Sequence, residues 1–267
     1  YNHNKVGSIP TEDGIIHGAS NQIYSNAEEF YRAESGHAIG YFWGYKTAGI
    51  FQNQQEINDW IAAGNGVLQS NVQPGDTKYV DINRDGQINA ADKVDLGNGL
   101  PKYTFGFNVS LSWKGFDLSA NATGAAGFQI AQSYRDPNSS QGNYSRQILD
   151  RWTGEGTSNR IPRVTYGDVG NWQFSDLYLQ DGDYIRLQNL TLGYDFKRLI
   201  SWKGISKLRL YVQAQNLLTL TKYDGMDPEI GSYNGTNGNS SDSWVSGVDM
   251  GYYPHPRTFL VGMNIAF

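Results

Sequence analysis

Apolar and polar residues alternate without error from Tyr103 to Lys114. Tyr103, Phe105, Phe107, Val109, Leu111 and Trp113 share one face, and Thr104, Gly106, Asn108, Ser110, Ser112 and Lys114 the other. Successive side chains of a strand point to opposite sides, so this period predicts one long strand with an apolar and a polar face. Gly115 supplies a tight turn, after which Phe116, Leu118, Ala120 and Ala122 alternate with Asp117, Ser119, Asn121 and Thr123, completing a hairpin. A third run sets Leu190, Leu192, Tyr194 and Phe196 against Asn189, Thr191, Gly193 and Asp195. Upstream of it Ile185 and Leu187 have the opposite phase, so only the second half of this run reads as membrane-spanning. A fourth places Leu208, Leu210, Val212, Ala214, Leu218 and Leu220 opposite Arg209, Tyr211, Gln213, Gln215, Thr219 and Thr221, with Asn216 and Leu217 breaking the pattern. The last sets Phe259, Val261, Met263, Ile265 and Phe267 against Leu260, Gly262, Asn264 and Ala266.

The connections differ in length. Those at Lys114-Gly115 and across Ser201-Trp202-Lys203-Gly204 read as tight. Those from about residue 129 to 183 and from about 223 to 256 are long and rich in Gly, Asn, Ser and Tyr. A compact soluble domain rarely carries structureless loops beyond about 12 to 15 residues, whereas an outer-membrane barrel has short turns at one rim and long loops at the other. Before Tyr103 the chain reads mostly as loop. The exception is a short helix, with Asn53 as N-cap, Glu56 in the capping-box position, an apolar stripe of Ile57, Trp60 and Ile61, and Gly64 at its end. Residues 1–35 show no clear period.

Composition narrows the alternatives. With 267 residues, 32 glycines, 18 tyrosines and charged residues at 18%, the chain is glycine-rich, aromatic-rich and charge-poor. It has no cysteine, hence no disulfide framework and no thiolate metal site. A net charge of −5 argues against a basic nucleic-acid surface. Mean hydropathy is −0.54, and no apolar run is long enough for a transmembrane helix. Barrel strands escape that criterion because half their residues face a polar lumen. A soluble β-sandwich binding module with a calcium-stabilised loop is the alternative. Strand length favours the barrel, since soluble strands cluster at about 5 to 6 residues and tilted membrane strands need about 9 to 11. So do Trp113, Phe116 and Trp202, which flank or occupy the tight turns as an interfacial aromatic girdle does.

The same segments carry a resemblance. Gly36 to Gln52 (GHAIGYFWGYKTAGIFQ), Pro74 to Asn108 (PGDTKYVDINRDGQINAADKVDLGNGLPKYTFGFN), Trp113 to Ser119, Tyr184 to Phe196, Gln215 to Glu229 and the terminal strand resemble, in order and spacing, the C-terminal part of SusC/RagA-type TonB-dependent outer-membrane receptors. The resemblance covers the chain from about Gly36 onward. It implies an all-β fold, the C-terminal segment of a 22-stranded transmembrane barrel in the bacterial outer membrane, with a plug and a TonB-contacting segment lying outside this sequence. On that expectation residues 1–102 are mainly an extracellular loop region holding the helix and a candidate calcium loop, and 103–267 are barrel strands with long extracellular loops. The resemblance also implies import of oligosaccharides or peptides with a SusD-like surface lipoprotein, energised by TonB, ExbB and ExbD. About five strands with two open edges cannot leave backbone groups unpaired in lipid, so the piece is expected to pair with the remaining barrel strands. A passive porin is a weaker reading of the same wall.

One motif points to a metal. Counted as an EF-hand loop from Asp81, it offers side-chain oxygens from Asp81, Asn83, Asp85, Asn89 and Asp92, the carbonyl of Gln87, and Gly86 at the sharp turn, an all-oxygen set suited to Ca²⁺. Position 12 is Asp rather than bidentate Glu, and Lys78-Tyr79-Val80 before it is strand-like. A pair of Asx turns that binds nothing is the other reading. No catalytic constellation is present. The four histidines lack HExxH spacing, nucleophile-elbow and Walker motifs are missing, and Asp181 and Asp183 read as solvated rim carboxylates. The long loops hold Tyr134, Tyr144, Trp152, Trp172, Tyr233, Trp244, Tyr252 and Tyr253. Trp152, Trp172 and Trp244 are the candidate substrate contacts, against a bland reading in which each packs on its neighbours.

Overall fold

The computed structural model describes residues 1–20, 23, 27–132, 146–165, 169–200, 202–231 and 244–267. Tyr134, Tyr144 and Tyr233 lie outside them. In chain order the first elements are β1 (Ile15–His17), β2 (Tyr31–Glu34), β3 (Tyr41–Gly44), β4 (Thr47–Ile50), α1 (Gln54–Ala62), β5 (Thr77–Tyr79) and β6 (Val94–Asn98). The long strands β7 (Tyr103–Trp113) and β8 (Phe116–Ala126) follow. Then come β9 (Gln129–Gln132), β10 (Leu179–Asp181), β11 (Tyr184–Asp195), β12 (Lys207–Thr221), β13 (Val248–Asp249) and β14 (Thr258–Ala266).

The alternating runs form one five-stranded antiparallel sheet in the order β14-β12-β11-β8-β7. Lys114 and Gly115, at φ 48° and 93°, make the two-residue turn of the β7–β8 hairpin, with Trp113 opposite Phe116. The register aligns apolar residues in rows across the sheet, among them Leu111, Leu118, Leu192, Val212 and Val261, and Val109, Ala120, Leu190, Ala214 and Phe259. Polar rows alternate with these on the other face: Asn108, Asn121, Asn189 and Gln215, then Ser110, Ser119, Thr191 and Gln213.

The phase reversal in β11 has a local cause and corrects the half-spanning expectation. Between Leu187 and Asn189 the strand carries one residue more than β8, and β12 carries one more than β11 where Asn216 sits at φ 51°. These are β-bulges, which turn the side chains by one position. Leu187 therefore lies opposite Ala122 and Leu218, and Ile185 opposite Gly124 and Leu220. Both are on the same face as Leu190 and Leu192, so the whole of β11 contributes to the apolar face. The connection from β11 to β12 is also longer than its tight reading, running through a short 3₁₀ turn at Phe196–Arg198.

The sandwich alternative needs a second sheet on this apolar face. Among the described residues none covers it: Phe107 is 61% exposed and Val261 84%. Among the described residues no helix is long and apolar enough to cross a membrane.

The buried core lies away from this wall. Most residues before Tyr103 lie outside regular elements, yet the short strands among the described residues build a four-stranded sheet, β1-β2-β3-β6, and a β4-β5 pair. Strands of three to five residues are too short for a period to show in sequence. The two long connections also meet, pairing as β10-β9-β13. Phe30, Tyr31 and Phe42 from the first part, Ala131, Phe174 and Leu179 from one connection, and Val245 and Val248 from the other bury a common core. In α1, Asn53 caps the N-terminus by accepting the N–H of Glu56 at 2.9 Å, while Glu56 Oε2 takes the N–H of Gln52 at 2.6 Å. Ile57 is buried and Trp60 packs edge-on against Phe51, but Ile61, expected in the apolar stripe, is exposed.

Candidate functional site

The polar face of the wall is held by two arrangements of charge. At the tight-turn end Arg209 on β12 reaches over Gly193 on β11 to Asp117 on β8, Nε to Oδ1 at 2.8 Å. A Cβ on Gly193 would stand 2.5 Å from Arg209 Nε, so only glycine leaves this path open. At the opposite end Arg186 of β11 lies in the row of Gly106, Thr123 and Thr219. Its Nε donates to Thr219 Oγ1 at 3.0 Å, its Nη1 to Glu229 Oε2 at 2.8 Å, and its Nη2 to Asp227. Arg186 and Asp227 are both buried.

Asp227 also accepts the backbone N–H groups of Glu229 at 2.9 Å and His255 at 3.0 Å, with His255 Nδ1 3.0 Å away. Burial would raise its carboxyl pKa, but those two N–H groups, the His255 ring and Arg186 outweigh it and hold the value down at about 2. Asp227, Glu229 and His255 present ligand atoms within 4.8 Å of one another. The cation among them is the guanidinium of Arg186. Sequence reading missed this cluster because its members lie on one strand and in one connection, up to 69 residues apart. Asp227-Pro228-Glu229 was visible only as part of a longer resembling segment.

A second latch closes the first sheet. His17 at the end of β1 places Nε2 2.8 Å from Asp13 Oδ2 and Nδ1 2.9 Å from Glu29 Oε2. A neutral imidazole has one N–H, so two carboxylate partners call for the imidazolium. Hydrogen bonds donated by His17 to Asp13 and then Glu29 raise the His17 pKa, and the same bond lowers that of Asp13 to about 2. A raised folded pKa adds stability that is complete below the unfolded value of about 6.5 and is lost as pH rises through the folded one. Hydrogen exchange at Ile15 and Ile16 in the full-length protein is therefore expected to accelerate, beyond its intrinsic base catalysis, on going from pH 6 to pH 9. His17→Gln should remove that excess, and an unchanged excess in the variant would refute the latch.

The candidate calcium loop is built from Asx turns around two buried carboxylates. Asp81 Oδ1 accepts the N–H of Arg84 at 2.6 Å and of Asp85 at 3.2 Å, and its Oδ2 that of Gly86 at 2.8 Å. Asp92 accepts from Ile82 and Asn89, each at 2.9 Å, and Asn89 Oδ1 from Ala91 at 2.9 Å, a reciprocal cap on the short helical turn Ala90–Asp92. Asn83 Oδ1 takes the N–H of Asp85 at 3.0 Å, and Asp85 Oδ1 that of Gln87 at 2.8 Å. Gly86 has φ 80°, the left-handed turn expected at position 6. Among the described residues no basic side chain pairs with Asp81 or Asp92. Three carboxylates, two amide oxygens and one carbonyl are the hard oxygen donors that Ca²⁺ takes, but the carboxylates of Asp81, Asp85 and Asp92 do not converge to within 4.8 Å of one another as those of the Asp227 cluster do. The strand β5, in place of an EF-hand's helix, leads into the loop.

Comparison with known proteins places this wall. The chain is 32% identical over its whole length to TonB-dependent receptor P3 of Formosa agariphila, covering 26% of that protein, and 33% identical over 87% of its length to receptor P26 of the same organism. It is 28% identical over 75% of its length to TonB-dependent receptor SusC of Bacteroides thetaiotaomicron. The chain belongs to the SusC/RagA-type TonB-dependent receptors. No family model matches it. It spans about a quarter of the length of the curated relatives it matches. The RagAB peptide importer in its open-open state superposes with a TM-score of 0.65 at 20% identity, over 98% of this chain and 25% of that one, and shares its fold.

Receptors of this type are outer-membrane proteins and not enzymes, and this receptor segment leaves one apolar face of its sheet uncovered among the described residues. Its three candidate tryptophans are not brought together. Trp152 packs against Gly75 with its Nε1 3.3 Å from Gln52 Oε1, and Trp244 meets Tyr31 edge-on beside the buried core. Trp172 lies in a short 3₁₀ turn where its carbonyl accepts the Tyr178 hydroxyl at 2.7 Å. Asp181 and Asp183 shape a turn, Asp181 Oδ1 accepting the N–H of Asp183 at 3.0 Å and Asp183 Oδ1 that of Gly127 at 2.6 Å.

Proposed function

We propose that the receptor containing this chain imports oligosaccharides or peptides across the outer membrane, working with a SusD-like surface lipoprotein and driven through TonB, ExbB and ExbD. The observation that carries this reading is identity over the whole chain to TonB-dependent receptors, joined to a wall with one continuous apolar face. The outer edges of β7 and β14 pair with nothing among the described residues, which supports their joining the remaining barrel strands around a plug. The loop cap, in which both long connections and the first hundred residues share one core, suits docking of the lipoprotein lid. Uptake by cells carrying the intact gene, compared with cells lacking it or lacking TonB, tests the reading on panels of glycans and peptides. Dependence on both genes is expected, and uptake indifferent to TonB would favour a passive pore.

We further propose that Asp81, Asn83, Asp85, Gln87, Asn89 and Asp92 hold Ca²⁺ in a structural role. The buried carboxylates of Asp81 and Asp92, lacking a basic partner among the described residues, support it. The backbone of Gly66 lies against that of Gln87, so an ion there would also stiffen the segment following α1. Calorimetry of the intact receptor is expected to show Ca²⁺ uptake that Asp81→Ala with Asp85→Ala abolishes. Binding unaffected by that pair would leave the loop as a turn only.

A further inference from the structure

Charge on this chain is segregated toward the tight turns of the wall. Residues 113–117 and 195–209 carry six basic side chains, Lys114, Lys197, Arg198, Lys203, Lys207 and Arg209, against two acidic ones, Asp117 and Asp195, in a chain whose net charge is −5. Arg209 is taken by Asp117. Asp195 Oδ1 accepts the N–H groups of Lys197 and Leu208 at 3.0 and 3.3 Å. Lys114, Arg198 and Lys203 are exposed and have no ion-pair partner among the described residues, whereas Lys207 lies on the polar face with Arg209 and acts on Asp117.

Their setting is apolar and faces outward. Lys114 Nζ stands 4.8 Å over the ring of Trp113, which belongs to the lipid-facing set and is 68% exposed. Arg198 folds against the β7–β8 turn, where its Cδ is 2.8 Å from the place a Cβ on Gly115 would take. Leu199 and Trp202 beside it are exposed, and Lys197 Nζ donates to the carbonyl of Trp202 at 2.6 Å. Ammonium and guanidinium groups just beyond exposed tryptophans sit at headgroup depth, where aromatic rings mark the membrane interface.

We propose that this rim binds anionic phospholipid headgroups of the leaflet that meets the short turns. In an outer-membrane barrel short turns face the periplasm, so the occupant is a phospholipid such as phosphatidylglycerol. Complementary charge is the argument: three free cations on the outside of one rim meet phosphodiester anions, and the aromatic and leucine side chains meet acyl chains. The inference rests on the membrane assignment.

The test uses the full-length receptor in nanodiscs of phosphatidylcholine containing a minority of phosphatidylglycerol, with co-purifying lipid counted by native mass spectrometry. Enrichment of phosphatidylglycerol over the bulk mixture is expected. Each charge removed in the series Lys114→Gln, Arg198→Gln and Lys203→Gln should lower it roughly fivefold at low ionic strength, and less at high salt. A Lys→Arg double variant at 114 and 203 should keep the enrichment, which separates loss of charge from loss of folding. Equal enrichment in the glutamine series, or none in the wild type, overturns the proposal. A parent protein that stays soluble without detergent would instead defeat the membrane assignment beneath it.

Discussion

Arg186→Met is expected to destabilise the full-length receptor by about 3–5 kcal/mol, the cost of leaving a buried charge without its partner. Arg186 and Asp227 are each 3% exposed at the side chain, so water cannot replace the lost guanidinium. Because Asp227 and His255 belong to the connection between β12 and β14, the loss should also free that connection from the wall. Urea unfolding in a bilayer gives the energy, and protease cleavage between Lys222 and Arg257 reports the release. Arg186→Met combined with Asp227→Leu removes both charges and should recover much of the loss. A single variant as stable and as protease-resistant as wild type would refute the latch. The pH dependence has a definite sign. Asp227 is held at about 2, below its ordinary value, so its contribution is present in full above pH 5 and fades as pH falls through 2. Acid below pH 3 should therefore loosen the same connection in the wild type.

The second large effect concerns the face of the wall. Val212→Arg is expected to cost about 2–4 kcal/mol in a bilayer, the range for a basic residue near the midplane on a lipid-facing position. Gln213→Arg, one residue on and facing the polar side, should be close to neutral. Val212 stands in a row with Leu111, Leu118, Leu192 and Val261, one row from the middle of the sheet, and nothing among the described residues covers it. Urea titration of the two variants in the same lipid decides the matter. Equal losses from both would mean that the apolar face is not the lipid face.

Much of the wall was legible because its chemistry repeats. A strand between lipid and a polar lumen must alternate, and β7, β8 and β14 do so with little interruption, so their bounds and faces follow from residue type alone. The interruptions were legible as well, though not their meaning. Ile185 and Leu187 looked out of phase, and only the pairing with Ala122, Gly124, Leu218 and Leu220 shows that two bulges return them to the apolar face. The helix over 54–62 was readable from its cap, whereas the exposure of Ile61 depends on what α1 packs against.

Period, turn chemistry and strand length thus settled the sheet and its two faces, because each is a property of neighbouring residues. The loop cap was settled elsewhere. Phe30, Phe174 and Val245 come from stretches with no period, and they form one core only because β9, β10 and β13 bring the two long connections together. The latch of Arg186, Asp227, Glu229 and His255 is of the same kind. Its arginine, acidic pair and histidine are separated from one another by tens of residues, and no local pattern marks a carboxylate that will be buried against a guanidinium. Contacts of that kind exist only once the chain has closed on itself.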